Sequence, residues 1–136
     1  METLAGKRIA VVEDNVINLA VFATTLRQQG VTVIQDPWST DTIELLARNA
    51  PIDLIVLDIM LRHGVSGYDI FDEIKKHPKL EHIPVVAVSS LDPESEIPKA
   101  KAKGFSGFIS KPISHAEFSQ HILAAMNGEK VWVFSR

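Results

Sequence analysis

The chain has 136 residues, no cysteine, and a formal net charge of −3 from 14 basic and 17 acidic side chains. That excludes a disulfide scaffold, a cysteine nucleophile and a thiolate metal site, and it argues against nucleic acid as the main partner, which would want a basic surface. With 46% hydrophobic and 23% charged residues, the composition is that of one globular domain, expected as a core over about 7–127 and a short apolar tail over 128–136.

The first strand-like run is Arg8-Ile9-Ala10-Val11-Val12, which ends in the helix-start cluster Glu13-Asp14-Asn15. Beyond it, Val16, Leu19, Ala20, Ala23 and Leu26 fall on one helical face, and Gly30 is a stop signal. Val31 to Ile34 reads as a second strand, and Ser39 to Asn49 as a helix carrying Ile43, Leu45, Leu46 and Ala47. Pro51 breaks that pattern. Leu54-Ile55-Val56-Leu57 between Asp53 and Asp58 is apolar on both faces, which suits a central strand of a parallel sheet covered on both sides.

A loop follows, Ile59 to Val65, and Ser66-Gly67-Tyr68-Asp69 then has capping-box form and opens a helix to about Lys76. Ile83 to Val88 is a fourth strand, ending in Ser89-Ser90. Pro93 and Pro98 predict only a short helix, starting near Pro98 and closed by Gly104. Phe105 to Ser110, with a glycine at 107, is a fifth strand. Ser114-His115-Ala116-Glu117 reads as another capping box, opening a last helix to Asn127. Five strands and five helices in strict alternation predict a doubly wound α/β fold, with a five-stranded parallel sheet and helices on both faces. No apolar run approaches the ~20 residues of a membrane span, and the first residues lack a signal-peptide core. A soluble cytoplasmic chain with no membrane partner is therefore the expectation.

In such sheets the functional crevice lies outside the carboxyl ends of the strands. Those ends carry Glu13, Asp14, Asp58, Ser89, Ser90 and Lys111. Two carboxylates ~5 Å apart at an effective dielectric of ~20 repel by roughly 3 kcal/mol, so the acids need a proton, a lysine or a cation. Mg²⁺ suits a sparse carboxylate set completed by water. A metal and a lysine together bracket a phosphoryl group. A carboxylate between them can act as nucleophile and form an acyl phosphate, and the central Asp58 is the candidate.

These residues resemble the receiver domain of two-component response regulators, a flavodoxin-like fold. The matching residues are Glu13-Asp14 after strand one, Asp58 ending Leu-Ile-Val-Leu-Asp, Ser89 after Ile-Pro-Val-Val-Ala-Val, Phe108 at the switch aromatic position, and the Lys111-Pro112 pair. The resemblance implies a phosphoacceptor Asp58, with Ser89 bonding the phosphoryl oxygen and Lys111 pairing with it. It implies Mg²⁺ on Asp14, Asp58 and the Met60 backbone carbonyl, with Glu13 acting through water. It implies a cis bond before Pro112, and a Ser89–Phe108 switch in which Phe108 buries on phosphorylation. That movement would reshape the face built from the Pro98–Lys103 helix, strand five and the last helix. It also implies a sensor histidine kinase or a histidine phosphotransfer protein as donor, a downstream protein as partner, and no bulk substrate turned over. With 25 residues after Lys111, the expected output is a contact with another protein, or onward transfer to a histidine phosphotransfer protein, rather than an attached effector domain.

The sequence departs from the pattern in places. Gly67 lies nine positions after Asp58, which predicts a loop one residue longer than usual, and Arg62 stands where the family usually has proline. Met60 and Leu91 flank the phosphoryl position with apolar side chains, which predicts slow self-hydrolysis of the acyl phosphate. Singly, each motif has a plainer reading: Glu13-Asp14 as a helix cap, Asp58 as a turn acid, Lys111 as a solvated lysine, Ser89 as a satisfied hydroxyl, Phe108 as core. Together on one rim they point to chemistry. The histidines at 63, 77, 82, 115 and 121 have no zinc spacing. Val131, Trp132, Val133 and Phe134 form a tail either packed on the domain or, as a strand, mediating dimerisation. Two other classes compete. One is a phosphorylation-independent interaction module on the same fold. The other is an enzyme on a related scaffold: a dehalogenase-type phosphatase would need an acid where Met60 stands, and a flavodoxin's phosphate would be repelled by Glu13-Asp14.

Overall fold

A computed structural model describes residues 3–37, 41–61 and 64–133. Ser39, Arg62, His63 and Phe134 lie outside the described residues. The elements alternate as β1 (Arg8–Val12), α1 (Val16–Arg27), β2 (Thr32–Asp36), α2 (Thr42–Arg48), β3 (Leu54–Asp58), α3 (Gly67–Lys76), β4 (Val85–Ser89), α4 (Pro93–Lys103), β5 (Gly107–Ser110), α5 (His115–Met126) and β6 (Val131–Val133). The strands form one parallel sheet in the order β2-β1-β3-β4-β5-β6. The chain order reverses between β1 and β3, so the crevice of this fold opens at their carboxyl ends.

Alternating side chains send each strand into two separate cores. Ala10, Val12, Ile55 and Leu57 meet Leu46, Phe71, Ile74 and Ile97 from α2, α3 and α4. Ile9, Val11, Leu54 and Val56 meet Leu19, Phe22, Leu26, Phe118 and Ile122 from α1 and α5. Each such side chain taken fully from water contributes about 1.5–3 kcal/mol. This two-sided burial is why β3 and β4 are apolar up to their last residues, Asp58 and Ser89.

Several local expectations are corrected. α4 starts at Pro93, five residues before the expected Pro98: the Asp92 carboxylate caps it by accepting from Glu94 N–H at 3.1 Å, and Pro93 occupies the first turn, where its missing N–H is harmless. Pro98 sits inside that helix. On α1, Val16 and Ala20 are exposed and Phe22 is buried instead. Ser66 caps α3 through Tyr68 N–H at 3.1 Å, whereas Ser114 begins α5 with no side-chain cap bond. Gly30 lies beyond the α1 C-cap Gln28 rather than next to it, with φ +83°. The tail contributes a sixth strand to the chain's own sheet, so the core extends past residue 127.

Candidate functional site

Each strand end delivers one part of the site. β1 runs into Glu13 and Asp14. The cap of α1 is the next residue, Asn15, whose side chain accepts from Asn18 N–H at 2.9 Å. Glu13 Oε2 accepts from Asn15 N–H at 3.4 Å at the same helix start. Glu13 is 1% exposed, although it carries a carboxylate. β3 ends in Asp58, also buried, whose Oδ1 accepts from Met60 N–H at 2.9 Å. Lys111, just past β5, reaches across: its Nζ donates to Glu13 Oε1 at 2.9 Å and to Asp58 Oδ2 at 3.1 Å. The Lys111–Pro112 peptide is cis, as is Ala50–Pro51.

One ammonium thus serves two buried carboxylates, and a third acid stands beside them. Among the described residues, Glu13, Asp14 and Asp58 each offer an oxygen within 4.8 Å of the others, a set able to hold a metal ion. Burial, with the Asp58 carboxylate beside it, pushes the Glu13 carboxyl up from 4.5 to about 6 despite Lys111. Burial alone would lower the Lys111 ammonium. The hydrogen bonds and charges of Glu13 and Asp58 outweigh it and hold its pKa above the ordinary value.

The loop after Asp58 closes at its base. Gly67 N–H donates to Ile59 carbonyl at 2.7 Å and Leu61 N–H to Val65 carbonyl at 3.1 Å, bracketing a Met60–Ser66 bridge. Neither bond engages the Met60 carbonyl. The loop is therefore pinned on both sides of Met60. Gly67 is required there by close approach: a Cβ would overlap the Asp58 carbonyl oxygen and come within 2.8 Å of Ile59 Cα.

Ser89 is fully buried, and its hydroxyl accepts from Leu91 N–H at 3.0 Å. Ser90 is exposed. Phe108 is 0% exposed in the α2–α3–α4 core, so the expected burial of this ring on phosphorylation has no exposed starting position here. Met60 is 54% exposed at the mouth of the site, near Leu91 in a groove between the loop and α4. A second groove of about 410 Å³ opens beside Lys111, lined by Asn18, Phe22, Pro112 and Ile113. The exposed Val16 and Ile17, 67% and 74% accessible, begin α1 two and three residues after Asp14.

The sequence reading missed two buried acids. Asp36 receives the Thr42 hydroxyl. Glu96 receives Tyr68 Oη at 2.9 Å, Ser95 Oγ at 3.2 Å and Lys99 Nζ at 3.2 Å. Both partnerships include a contact between different elements, which no local spacing announces.

A sheet whose carboxyl rim gathers two acids after β1, an aspartate after β3, a hydroxyl after β4 and a lysine after β5 defines a class. The chain belongs to the response regulator receiver domain family, whose model matches residues 9–123. It is 32% identical over 116 residues to the polar-differentiation response regulator DivK of Brucella ovis, covering 85% of this chain and 93% of that one. Among solved structures it is similar to a response regulator from Desulfuromonas acetoxidans (26% identity, TM-score 0.78, 89% of this chain and 97% of that one). It is also similar to the receiver domain of a sensor histidine kinase from Pseudomonas aeruginosa PAO1 (28% identity, TM-score 0.74, 92% and 100%), a structure with magnesium coordinated in its active-site cleft. No helix among the described residues is long and apolar enough to cross a membrane.

Proposed function

We propose that the chain is a phosphoacceptor switch of a two-component system or phosphorelay, taking a phosphoryl group on Asp58. The observation that carries this reading is the sharing of Lys111 between two buried carboxylates, with Asp14 within reach. The donor set is all oxygen and more negative than its one lysine can balance, which fits Mg²⁺. Asp14, Asp58 and the Met60 carbonyl would hold the ion, and Glu13 would hold its water. The ion would neutralise charge on the phosphoryl oxygens.

The protein's own residues do the rest. An Asp58 carboxylate oxygen attacks the phosphorus of a phosphohistidine. The P–N bond breaks, and the imidazole leaves with the electron pair and takes a proton. Lys111 Nζ, already 3.1 Å from Asp58, follows the new charge from the carboxylate to the phosphoryl oxygens. Ser89 exchanges its bond to Leu91 N–H for one to the phosphoryl group, a local change able to bias the packing of α4, β5 and α5. The exposed Val16 and Ile17 and the groove beside Lys111 give a phosphohistidine-bearing kinase or phosphotransfer protein apolar ground next to Asp58. A chain acting this way turns over no bulk substrate.

The test is labelling by a small phosphodonor with Mg²⁺, read by intact mass, and titration with beryllofluoride, read by NMR. Wild type gains one phosphoryl group; Asp58→Asn gains none, because an amide is no nucleophile, and keeps its fold. Equal labelling of both proteins overturns Asp58 as acceptor. No response of wild type to either reagent favours a phosphorylation-independent interaction module on the same fold.

A further inference from the structure

The phosphoryl chemistry makes no use of β6. This strand lies parallel to β5 on the sheet's outer edge, in the register Gly107↔Val131, Phe108↔Trp132 and Ile109↔Val133. Val131 N–H donates to Ser106 carbonyl at 3.1 Å. Val131 and Val133 pack toward the α1–α5 core and Trp132 toward the opposite one. There Lys101 of α4 sets its ammonium 5.2 Å from the Trp132 ring centroid. Gly107 is fitted to this strand. A Cβ at 107 would stand 2.6 Å from Val131 carbonyl oxygen and 3.3 Å from Val131 Cβ. Gly107 has no left-handed φ, so β5 itself does not ask for glycine; the close approach of β6 does.

The tether is short. It turns at Gly128, φ +92°, with Gly128 N–H donating to Ala125 carbonyl at 3.1 Å and Glu129 N–H to Ala124 carbonyl at 3.0 Å. A three-residue strand with two of its three side chains only half-buried belongs to the low-stability part of a structure. When it lifts, β5 bares a row of unpaired backbone groups. The strand this edge is seen to accept is Val-Trp-Val, and every other copy of the chain carries it.

We propose that the β5 edge is a self-recognition surface: its own β6 covers it in the single chain, and the β6 of a second copy replaces it, reciprocally, in a strand-exchanged dimer. The same contacts form in both cases, so tether geometry and protein concentration set the balance. The surface is separate from Asp58, and Asp58→Asn leaves it unchanged.

The test uses the full chain and the variants Gly128→Pro, Gly107→Ala and their combination. Sedimentation velocity gives the mass, and hydrogen exchange gives protection at 131–133. Proline cannot adopt φ +92°, so Gly128→Pro disables the turn that returns β6 to its own edge. That variant is expected at twice the 15.0 kDa of one chain, with 131–133 still protected. Gly107→Ala blocks any strand in this register, own or foreign. It is expected at single-chain mass, with exchange at 131–133 faster by about tenfold or more, and the combined variant behaves the same way. A single-chain Gly128→Pro, undiminished protection in Gly107→Ala, or a dimeric double variant would each overturn the proposal. Should Gly128→Pro not fold, a concentration series decides: a dimer in wild type that Gly107→Ala abolishes supports exchange, and single-chain mass in both rejects it.

Discussion

Two buried glutamates sit at opposite extremes of the same molecule. Glu13, 1% exposed at the strand rim, shares one lysine with Asp58 and is pushed up to about 6. Glu96, 6% exposed in the seam between α3 and α4, is held below the usual carboxylate range. Burial pushes both up. At Glu96 the Tyr68 hydroxyl, Lys99 and Ser95 together outweigh it, and among the described residues no second acid side chain is bonded to them. Burial of a carboxylate therefore says little about function; what distinguishes the rim is a deficit of donors. The seam is electrostatically settled, whereas the rim still has room for a cation or a proton.

The two regions meet at Gly67-Tyr68, where the glycine lies against Asp58 and the tyrosine reaches Glu96. Breaking that junction gives the largest expected effect on stability. Gly67→Ala drives a Cβ into the Asp58 carbonyl, a backbone contact that cannot rotate away. Destabilisation by about 3 kcal/mol or more is expected in urea unfolding, with loss of Mg²⁺ binding. Wild-type stability in that variant would mean the loop tolerates a shift at the rim.

Lys111→Ala removes the rim's one donor to both acids while leaving the seam untouched. The fold is retained, but stability falls by about 2 kcal/mol, because two buried carboxylates lose their counter-charge. Mg²⁺ is expected to restore much of the loss, and coupling of phosphorylation to partner binding weakens. Thermal melts with and without the metal check this; a loss that the metal leaves unchanged would place the lysine's role in packing.

The pH dependence separates the two glutamates by sign. Glu13 is raised in the folded chain, so between the ordinary 4.5 and about 6 the folded state holds a proton that the unfolded state has released. Its contribution is fully present below 4.5 and is lost as pH rises through about 6, by at most about 2 kcal/mol. Glu96, lowered, works the other way: its contribution is present above the ordinary glutamate pKa and is lost as pH falls through its own lower value. Lys111, raised, contributes evenly until alkaline pH. In urea unfolding across pH 4–7, Glu13→Gln is expected to remove the decline in stability between 4.5 and 6. A decline that survives the substitution would point to another group.

The strand framework was legible because two-sided burial writes continuous β-branched runs into a sequence, and β1 and α3 begin and end where their residues indicate. The rim was legible because parallel strands end on one side. The failures have physical causes. Asp92-Pro93 is the true start of α4, and Pro98 competed with it as a first-turn signal. The apolar stripe on α1 was misplaced because Val16 faces outward beside the site while Phe22 packs against Phe118. β6 is too short for any periodicity, so Val131, Trp132 and Val133 read as an apolar tail packed on the domain, which they are, but nothing local placed them as a strand beside β5. The Glu96 cluster joins α3 to α4 across 28 residues of chain and leaves no local signature.

Tyr68→Phe makes the smallest change and sharpens the contrast most cleanly. It deletes one hydroxyl and keeps the ring, which lies perpendicular to Phe105 at 5.8 Å between centroids. Glu96 loses its strongest donor but keeps Ser95 and Lys99. A loss of about 1 kcal/mol is expected, that of one partly exposed, charge-assisted hydrogen bond. The Glu96 carboxyl should rise toward the ordinary range, followed by its ¹³C shift across pH 3–6, while Glu13 stays near 6. If the seam is settled by redundancy, phosphodonor labelling of Asp58 is unchanged. If labelling changes severalfold, Tyr68 transmits strain between α4 and the phosphoacceptor loop, and the two glutamates belong to one coupled network.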